Sequence, residues 1–272
     1  MVMRMVEYNS DPLGRLREMR CFVLDLDGTL YLGNRWIDGA LAFVKKLRAE
    51  GRRVVVLTNN SSHSRSAYRE KLQRRGLPVS QEDILTSGRA TIAYLHKNHP
   101  SKSVFLLGTD ELQEEFSEAG LKIEEDRPDL VVTAFDTSLT YKRLSLVCRH
   151  LRAGLPFVAT HPDLNCPTED GPIPDVGSIH ALIEASTGRR PDVIIGKPER
   201  GVVDYLLRKT GIPSAQTVMV GDRLYTDIAM GVRHGLLSVL VLSGESGTEE
   251  LAASEVQPTL VFDSVKQMIP WI

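Results

Sequence analysis

Short apolar runs alternate with amphipathic stretches along nearly the whole chain. Cys21-Phe22-Val23-Leu24 is continuously apolar, the pattern of a strand buried on both faces of a parallel sheet. Asp38 to Glu50 has helical periodicity and closes at Gly51. Arg53 to Leu57 is Val-rich and reads as a strand, and Ser64 to Arg75 as a helix stopped by Gly76. The same grammar returns downstream in strands at Asp192 to Ile195, Thr217 to Val220 and Leu237 to Leu242, each ending in polar or Gly-rich residues. Between them the alternation repeats on its own. Ser103 to Leu107, Leu130 to Ala134 and Phe157 to Ala159 read as strands, and Glu111 to Ala119, Tyr141 to Ala153 and Ser178 to Thr187 as helices. The pattern predicts an α/β protein. Residues 1–83 and 189–272 are expected to share a parallel sheet, and residues 84–188 to form an inserted α/β domain with its own core.

Composition narrows the setting. Of 272 residues, 42% are hydrophobic and 25% charged, which supports a packed core and excludes general disorder. The net charge of -2 carries no basic excess, so nucleic acid is not the expected partner. No apolar run approaches the roughly 18 residues that span a bilayer. Met1 to Met19 carries charges throughout and lacks the apolar core of a signal peptide. A cytoplasmic protein without a membrane partner is the expectation. Cys21, Cys148 and Cys166 are odd in number and widely spaced, which fits neither a disulfide framework nor a metal cluster.

The chemistry concentrates at strand ends. Asp25 and Asp27 follow the first strand two residues apart, with Gly28 and Thr29 next. Ligands of open α/β sheets bind at such carboxyl ends. Two acids ~4 Å apart repel by about 4 kcal/mol at an effective dielectric near 20, which a bound cation would relieve. Thr58-Asn59, Lys197 and Asp222/Asp227 end three further strands. If these strands neighbour one another, a carboxylate nucleophile, a second acid, a hydroxyl, an ammonium and two more carboxylates meet at one edge. Such a set suits phosphoryl transfer, where the phosphate charge is neutralised by Lys and a cation. Mg²⁺ matches all-oxygen ligands. Asp25 is the candidate nucleophile and Asp27 the candidate general acid and base. Asp222 is the candidate metal ligand, and Asp227 is placed to orient metal waters or Lys197. Thr58 and the Asn59 backbone N–H are candidates for holding phosphate oxygens.

Asp25-Leu26-Asp27-Gly28-Thr29-Leu30, Leu57-Thr58-Asn59-Asn60-Ser61-Ser62, Gly196-Lys197-Pro198 and Gly221-Asp222-Arg223-Leu224-Tyr225-Thr226-Asp227 resemble the four motifs of the haloacid dehalogenase (HAD) superfamily. The likeness is greatest to its subfamily IIA of phosphatases, which includes NagD-like and 4-nitrophenyl phosphatases. It extends to Asp136-Thr137-Ser138-Leu139-Thr140-Tyr141 and Ala159-Thr160-His161-Pro162-Asp163 in the middle of the chain. The resemblance implies a Rossmann-like core with an inserted cap of the C2 type. It also implies Mg²⁺ held by Asp25, the Asp27 backbone carbonyl and Asp222. The 33 residues from Asp25 to Thr58 leave no room for a cap, whereas the 139 from Thr58 to Lys197 do. Sugar phosphomutases and haloacid dehalogenases, which carry their main cap earlier, are disfavoured. The implied activity is hydrolysis of a small phosphorylated metabolite through an aspartyl-phosphate intermediate. Sugar or polyol phosphates and phosphoglycolate are candidates, with 4-nitrophenyl phosphate as an artificial substrate. The subfamily contains cap-mediated homodimers and monomers, and the chain is compatible with either.

Three departures from the subfamily pattern stand out. Tyr225 occupies a position that is often Asp in the fourth motif, His161 one that is commonly Asn, and Asp175 one that is commonly Gly. The loop from His161 to Ser178 is expected to face the active site, which makes His161, Asp163 and Asp175 candidates for choosing the leaving group.

Overall fold

The computed structural model describes residues 11–168 and 170–272. Met1 to Ser10, part of the charged N-terminal stretch, lie outside the described residues. Among the described residues, eleven strands form two wholly parallel sheets: β1 (Cys21–Leu24), β2 (Arg53–Thr58), β3 (Ile84–Thr86), β4 (Ser103–Leu107), β5 (Lys122–Ile123), β6 (Leu130–Thr133), β7 (Phe157–Ala159), β8 (Val193–Ile194), β9 (Thr217–Gly221), β10 (Leu237–Val241) and β11 (Leu260–Phe262). The larger sheet has the order β11-β10-β9-β1-β2-β3 and the smaller β8-β7-β6-β4-β5. This is the expected α/β architecture, a Rossmann-like core with a cap.

Strand β1 shows how the sequence builds it. Its four residues are all buried, and successive side chains point to opposite faces. Phe22 and Leu24 enter one apolar cluster with Val54, Val56, Val218 and Val220. Cys21 and Val23 enter another with Val55, Leu57 and Met219. That second cluster runs on into Val104, Leu106, Val132 and Val158 of the smaller sheet. The two sheets therefore share an apolar core, rather than the cap holding one wholly its own. The far face of the smaller sheet, with Phe105, Leu107, Val131 and Phe157, has a separate cluster.

Two strands change sides relative to the expected boundaries. Ile84–Thr86 pairs with β2 in the larger sheet, with Val56 opposite Ile84. Val193–Ile194 pairs with β7 in the smaller sheet, with Val193 opposite Val158. Both are two or three residues long, too short for periodicity to assign them to a sheet. The chain thus crosses to the cap after β3 and returns after β8.

The sheet order places the site. In the larger sheet β1 lies between β2 and β9, so connections leave in opposite directions from the β1–β9 junction. Leu24 is level with both Val56 and Val220. Asp25, Thr58 and Asp222 consequently emerge together at the carboxyl edge, beside the topological switch point.

Candidate active site

Asp25 continues the first strand by one hydrogen bond, its N–H donating to the Val220 carbonyl at 3.0 Å. The chain then turns at Gly28, where φ is +85° and a Cβ would collide with the Asp222 carboxylate. Glycine is required there by both conformation and space. Gly244 approaches the same carboxylate as closely from the opposite loop. Asp222 is fixed between them, accepting the Glu245 N–H at 2.8 Å and lying 3.4 Å from Thr29 Oγ1. Beyond it the π-turn Leu224–Ile228 folds Asp227 back, and the Arg223 N–H donates to its carboxylate at 3.1 Å. Such turns widen a helix locally and often mark functional sites.

Lys197 completes the centre. Its Nζ donates to Asp25 Oδ1 at 2.5 Å and to Asp227 Oδ1 at 2.7 Å, and it is only 3% exposed. It reaches the site from β8, a cap strand, whereas the sequence pattern suggests a strand of the catalytic sheet. Asn59 makes the connection. Its side-chain amide accepts the Lys197 N–H at 2.8 Å and donates to the Lys197 carbonyl and to Asp163 Oδ1, both at 2.9 Å. Gly196 leaves no room for a side chain against Asn59 and the Thr160 carbonyl. The Asn59 side chain is therefore committed to joining core and cap.

Charge is unbalanced at the centre. Ligand atoms of the buried residues Asp25, Asp222 and Asp227 lie within 4.8 Å of one another, against one buried ammonium. Burial lifts the Asp25 carboxyl well above the usual range, opposed by Lys197 and reinforced by Asp227 and Asp222. Burial and Asp227 push Asp222 up to about 7. Burial opposes the Lys197 charge, but Asp227 and Asp25 outweigh it and hold its pKa above the ordinary lysine value. The all-oxygen donors, the excess negative charge and the glycine walls around Asp222 fit a small hard divalent cation. Asp27 stands apart from this group. It lines the cleft, and burial raises its pKa, with Lys71 opposing. A carboxyl so shifted is suited to carry a proton to a leaving oxygen.

The cap side closes the cleft. Asp163 and Asp175 line it together with Asp25, Thr58, Asn59 and Lys197. Asp175 is buried at the start of the helix Val176–Thr187. His161 is completely buried and does not line the cleft. It sits behind the loop, Nε2 3.5 Å from Asp175 and Nδ1 3.8 Å from Asp163. Burial disfavours its charged form, yet Asp175 and Asp163 outweigh burial and raise its pKa. Two positions that depart from the subfamily pattern, His161 and Asp175, thus face each other. Of the three specificity candidates, the two acids line the cleft and His161 does not.

Sequence reasoning missed Arg223, Glu245 and Ser61. Arg223 pairs with Asp163 at 3.2 Å and Glu245 at 2.8 Å, so it spans both halves. Ser61 Oγ accepts the Phe135 N–H at 3.0 Å and lies 3.1 Å from Thr160 Oγ1. Arg223 sits inside a motif already quoted, and that position was the available signal. Ser61 likewise sits inside the second of the quoted motifs, whereas Glu245 gave no signal beyond its polarity.

Comparison with known proteins agrees with this geometry. The family described as haloacid dehalogenase-like hydrolase matches residues 22–122, and a HAD-hydrolase-like family matches residues 194–268. The 5'-nucleotidase YutF of Bacillus subtilis is 33% identical, over 94% of this chain and 100% of its own. The structure of a 4-nitrophenylphosphatase from Thermotoga maritima superposes with a TM-score of 0.91 at 44% identity, covering 94% of this chain and 98% of that one. A glycerol phosphate phosphatase from Mycobacterium tuberculosis, in complex with magnesium, gives 0.86 at 30% identity, covering 92% of this chain and 76% of the other. The chain belongs to the haloacid dehalogenase-like hydrolases, in their subfamily IIA, and is a phosphoric monoester hydrolase acting on small phosphorylated molecules.

Proposed function

We propose that this chain is a Mg²⁺-dependent phosphatase working through an aspartyl-phosphate on Asp25. The observation that carries the reading is the contact of Lys197 with both Asp25 and Asp227, beside Asp222 and opposite Asp27. Lys197 holds one Asp25 oxygen and leaves the other to attack phosphorus. The bond from phosphorus to the leaving oxygen breaks as Asp27 gives that oxygen its proton. Asp27, now a carboxylate, takes a proton from water. The water oxygen bonds to phosphorus, the Asp25–phosphorus bond breaks, and inorganic phosphate departs.

Thr58 and the Asn59 backbone hold the transferring phosphoryl group at the end of β2. Asp25, Asp222 and the Asp27 backbone carbonyl would hold Mg²⁺, with Asp227 steadying Lys197. The ion would neutralise charge on the phosphoryl oxygens. Asp163 and Asp175 bound the cleft on the cap side, and His161 positions them from behind. The magnesium complex of the glycerol phosphate phosphatase supports the choice of metal. The named activities of the relatives support phosphate monoesters as the substrate class.

The test is phosphate release from 4-nitrophenyl phosphate with Mg²⁺ and with EDTA, for wild type and Asp25→Asn. Activity should require Mg²⁺ and fall by several orders of magnitude in the variant, which lacks the nucleophile. Equal rates with EDTA, or a fully active Asp25→Asn, would refute the reading.

A further inference from the structure

Beside the narrow cleft, whose cavity volume is about 30 Å³, a groove of about 690 Å³ opens on the other side of Asp27. Three separate segments give it an apolar lining: Leu32 from the turn after the first motif, Leu164 and Pro167 from the cap loop, and Tyr225 from the fourth motif. Leu32, Leu164 and Tyr225 are 56%, 59% and 49% exposed. Large apolar side chains left in solvent singly need no explanation, but a convergent set marks a binding surface. Here they converge next to the proton donor.

Charge decides what the groove admits. Asp27, Asp222 and Glu245 border it. Arg223 is the one cation lining it among the described residues, and its guanidinium is already paired with Asp163 and Glu245. Arg35 lines a neighbouring hollow, not this groove. With Asp27 carrying its proton and Asp222 turned to the cation, an anionic substituent placed here would lie beside Glu245 with no free side-chain cation to pair with, and would be partly desolvated without compensation. Tyr225 is held in place, its hydroxyl donating to Glu245 Oε1 at 2.8 Å. An anchored aromatic ring on a pocket wall offers a large apolar surface at little entropic cost.

We infer that this groove is the leaving-group subsite, that it selects uncharged leaving groups with a flat apolar face, and that Tyr225 is its specificity-determining residue. The inference rests on the phosphatase reading, because Asp27 must protonate the oxygen that departs into the groove. It places phosphoglycolate, whose leaving group carries a carboxylate, among the poor substrates.

Ethyl phosphate, benzyl phosphate and 4-carboxybenzyl phosphate separate ring from charge, because their leaving alcohols differ little in acidity. Wild type should show kcat/KM at least tenfold higher for benzyl than for ethyl phosphate, and at least tenfold lower for 4-carboxybenzyl than for benzyl phosphate. Tyr225→Ala should collapse the benzyl-to-ethyl ratio about tenfold. Tyr225→Phe, which keeps the ring and loses the bond to Glu245, should retain most of it. Equal kcat/KM for benzyl and 4-carboxybenzyl phosphate would overturn the charge selection. An unaltered benzyl-to-ethyl ratio in Tyr225→Ala would overturn the role of Tyr225. Failure of the underlying reading looks different: none of the three esters is hydrolysed, or all are hydrolysed equally by Asp25→Asn.

Discussion

Single residues divide into those whose position in the chain announces them and those that need a distant partner. Asp25 and Asp222 follow apolar strands directly, Asp27 and Asp227 lie on the turns just beyond them, and Lys197 follows the run ending at Ile195. Each is legible because an acid or lysine at the polar end of a buried strand has few purely structural uses. Asn59 was legible only as a strand-end residue. Its real task, gripping Lys197 and Asp163, depends on residues more than 100 positions away. Buried titratable groups outside the site also have consequences. His180 lies in the cap, 2.8 Å from Thr133 Oγ1, and burial lowers its pKa from 6.5 to about 3. The folded form stays neutral while the unfolded chain takes up a proton below pH 6.5. Stability should therefore be complete above about pH 6.5 and fall toward pH 3, by about 2 kcal/mol between pH 7 and pH 5. Urea unfolding of wild type and His180→Gln at the two pH values checks this. The variant should lose distinctly less on acidification, and an identical loss would show that His180 is not the titrating group.

At the scale of elements, one short polar segment does two jobs. The tail of the second motif links β2 to the helix Arg65–Arg74, and it also stitches core to cap. Ser64 caps that helix, its Oγ accepting the Ala67 N–H at 3.2 Å. The Ser64 N–H and hydroxyl both donate to Glu111 of the cap helix Asp110–Glu118, at 2.7 Å. Thr109 Oγ1 donates to the Ser62 carbonyl at 2.9 Å. Ser61 receives the buried Phe135 N–H just past the end of β6. Ser61→Ala would leave that donor without its partner, a cost of about 1–3 kcal/mol. Thermal or urea denaturation should show it, whereas a change below about 0.5 kcal/mol would mean the N–H finds another partner. The cap property of the serine cluster was readable from its place before an apolar-periodic stretch. The stitching was not, because Glu111 and Phe135 carry no mark tying them to it.

At the scale of the whole molecule, two sheets enclose a cleft where negative charge exceeds positive. Asp25, Asp222 and Asp227 share one lysine, and this frustration should make the fold respond to a divalent cation. Mg²⁺ at 100 times its dissociation constant should stabilise the protein by about 2.7 kcal/mol and raise its melting temperature. Asp222→Asn should melt higher than wild type in EDTA, because it removes one repelling charge, and should respond weakly to Mg²⁺. A wild type insensitive to Mg²⁺ in thermal melts would argue against the metal assignment without reference to activity. The sequence by itself determined the alternating architecture, the reaction class and the strand-end acids and lysine that the fold brings together, because strand periodicity and strand-end polarity are local properties. Tertiary structure alone decided that β3 belongs to the core, that β8 and hence Lys197 arrive with the cap, and that the two sheets share an apolar cluster. It also turned His161 away from the cleft and brought Leu32, Leu164 and Tyr225 together beside Asp27. Strand partners, buried charge pairs and groove walls are contacts between residues far apart in the chain, and no local pattern encodes which of many polar or apolar residues will meet.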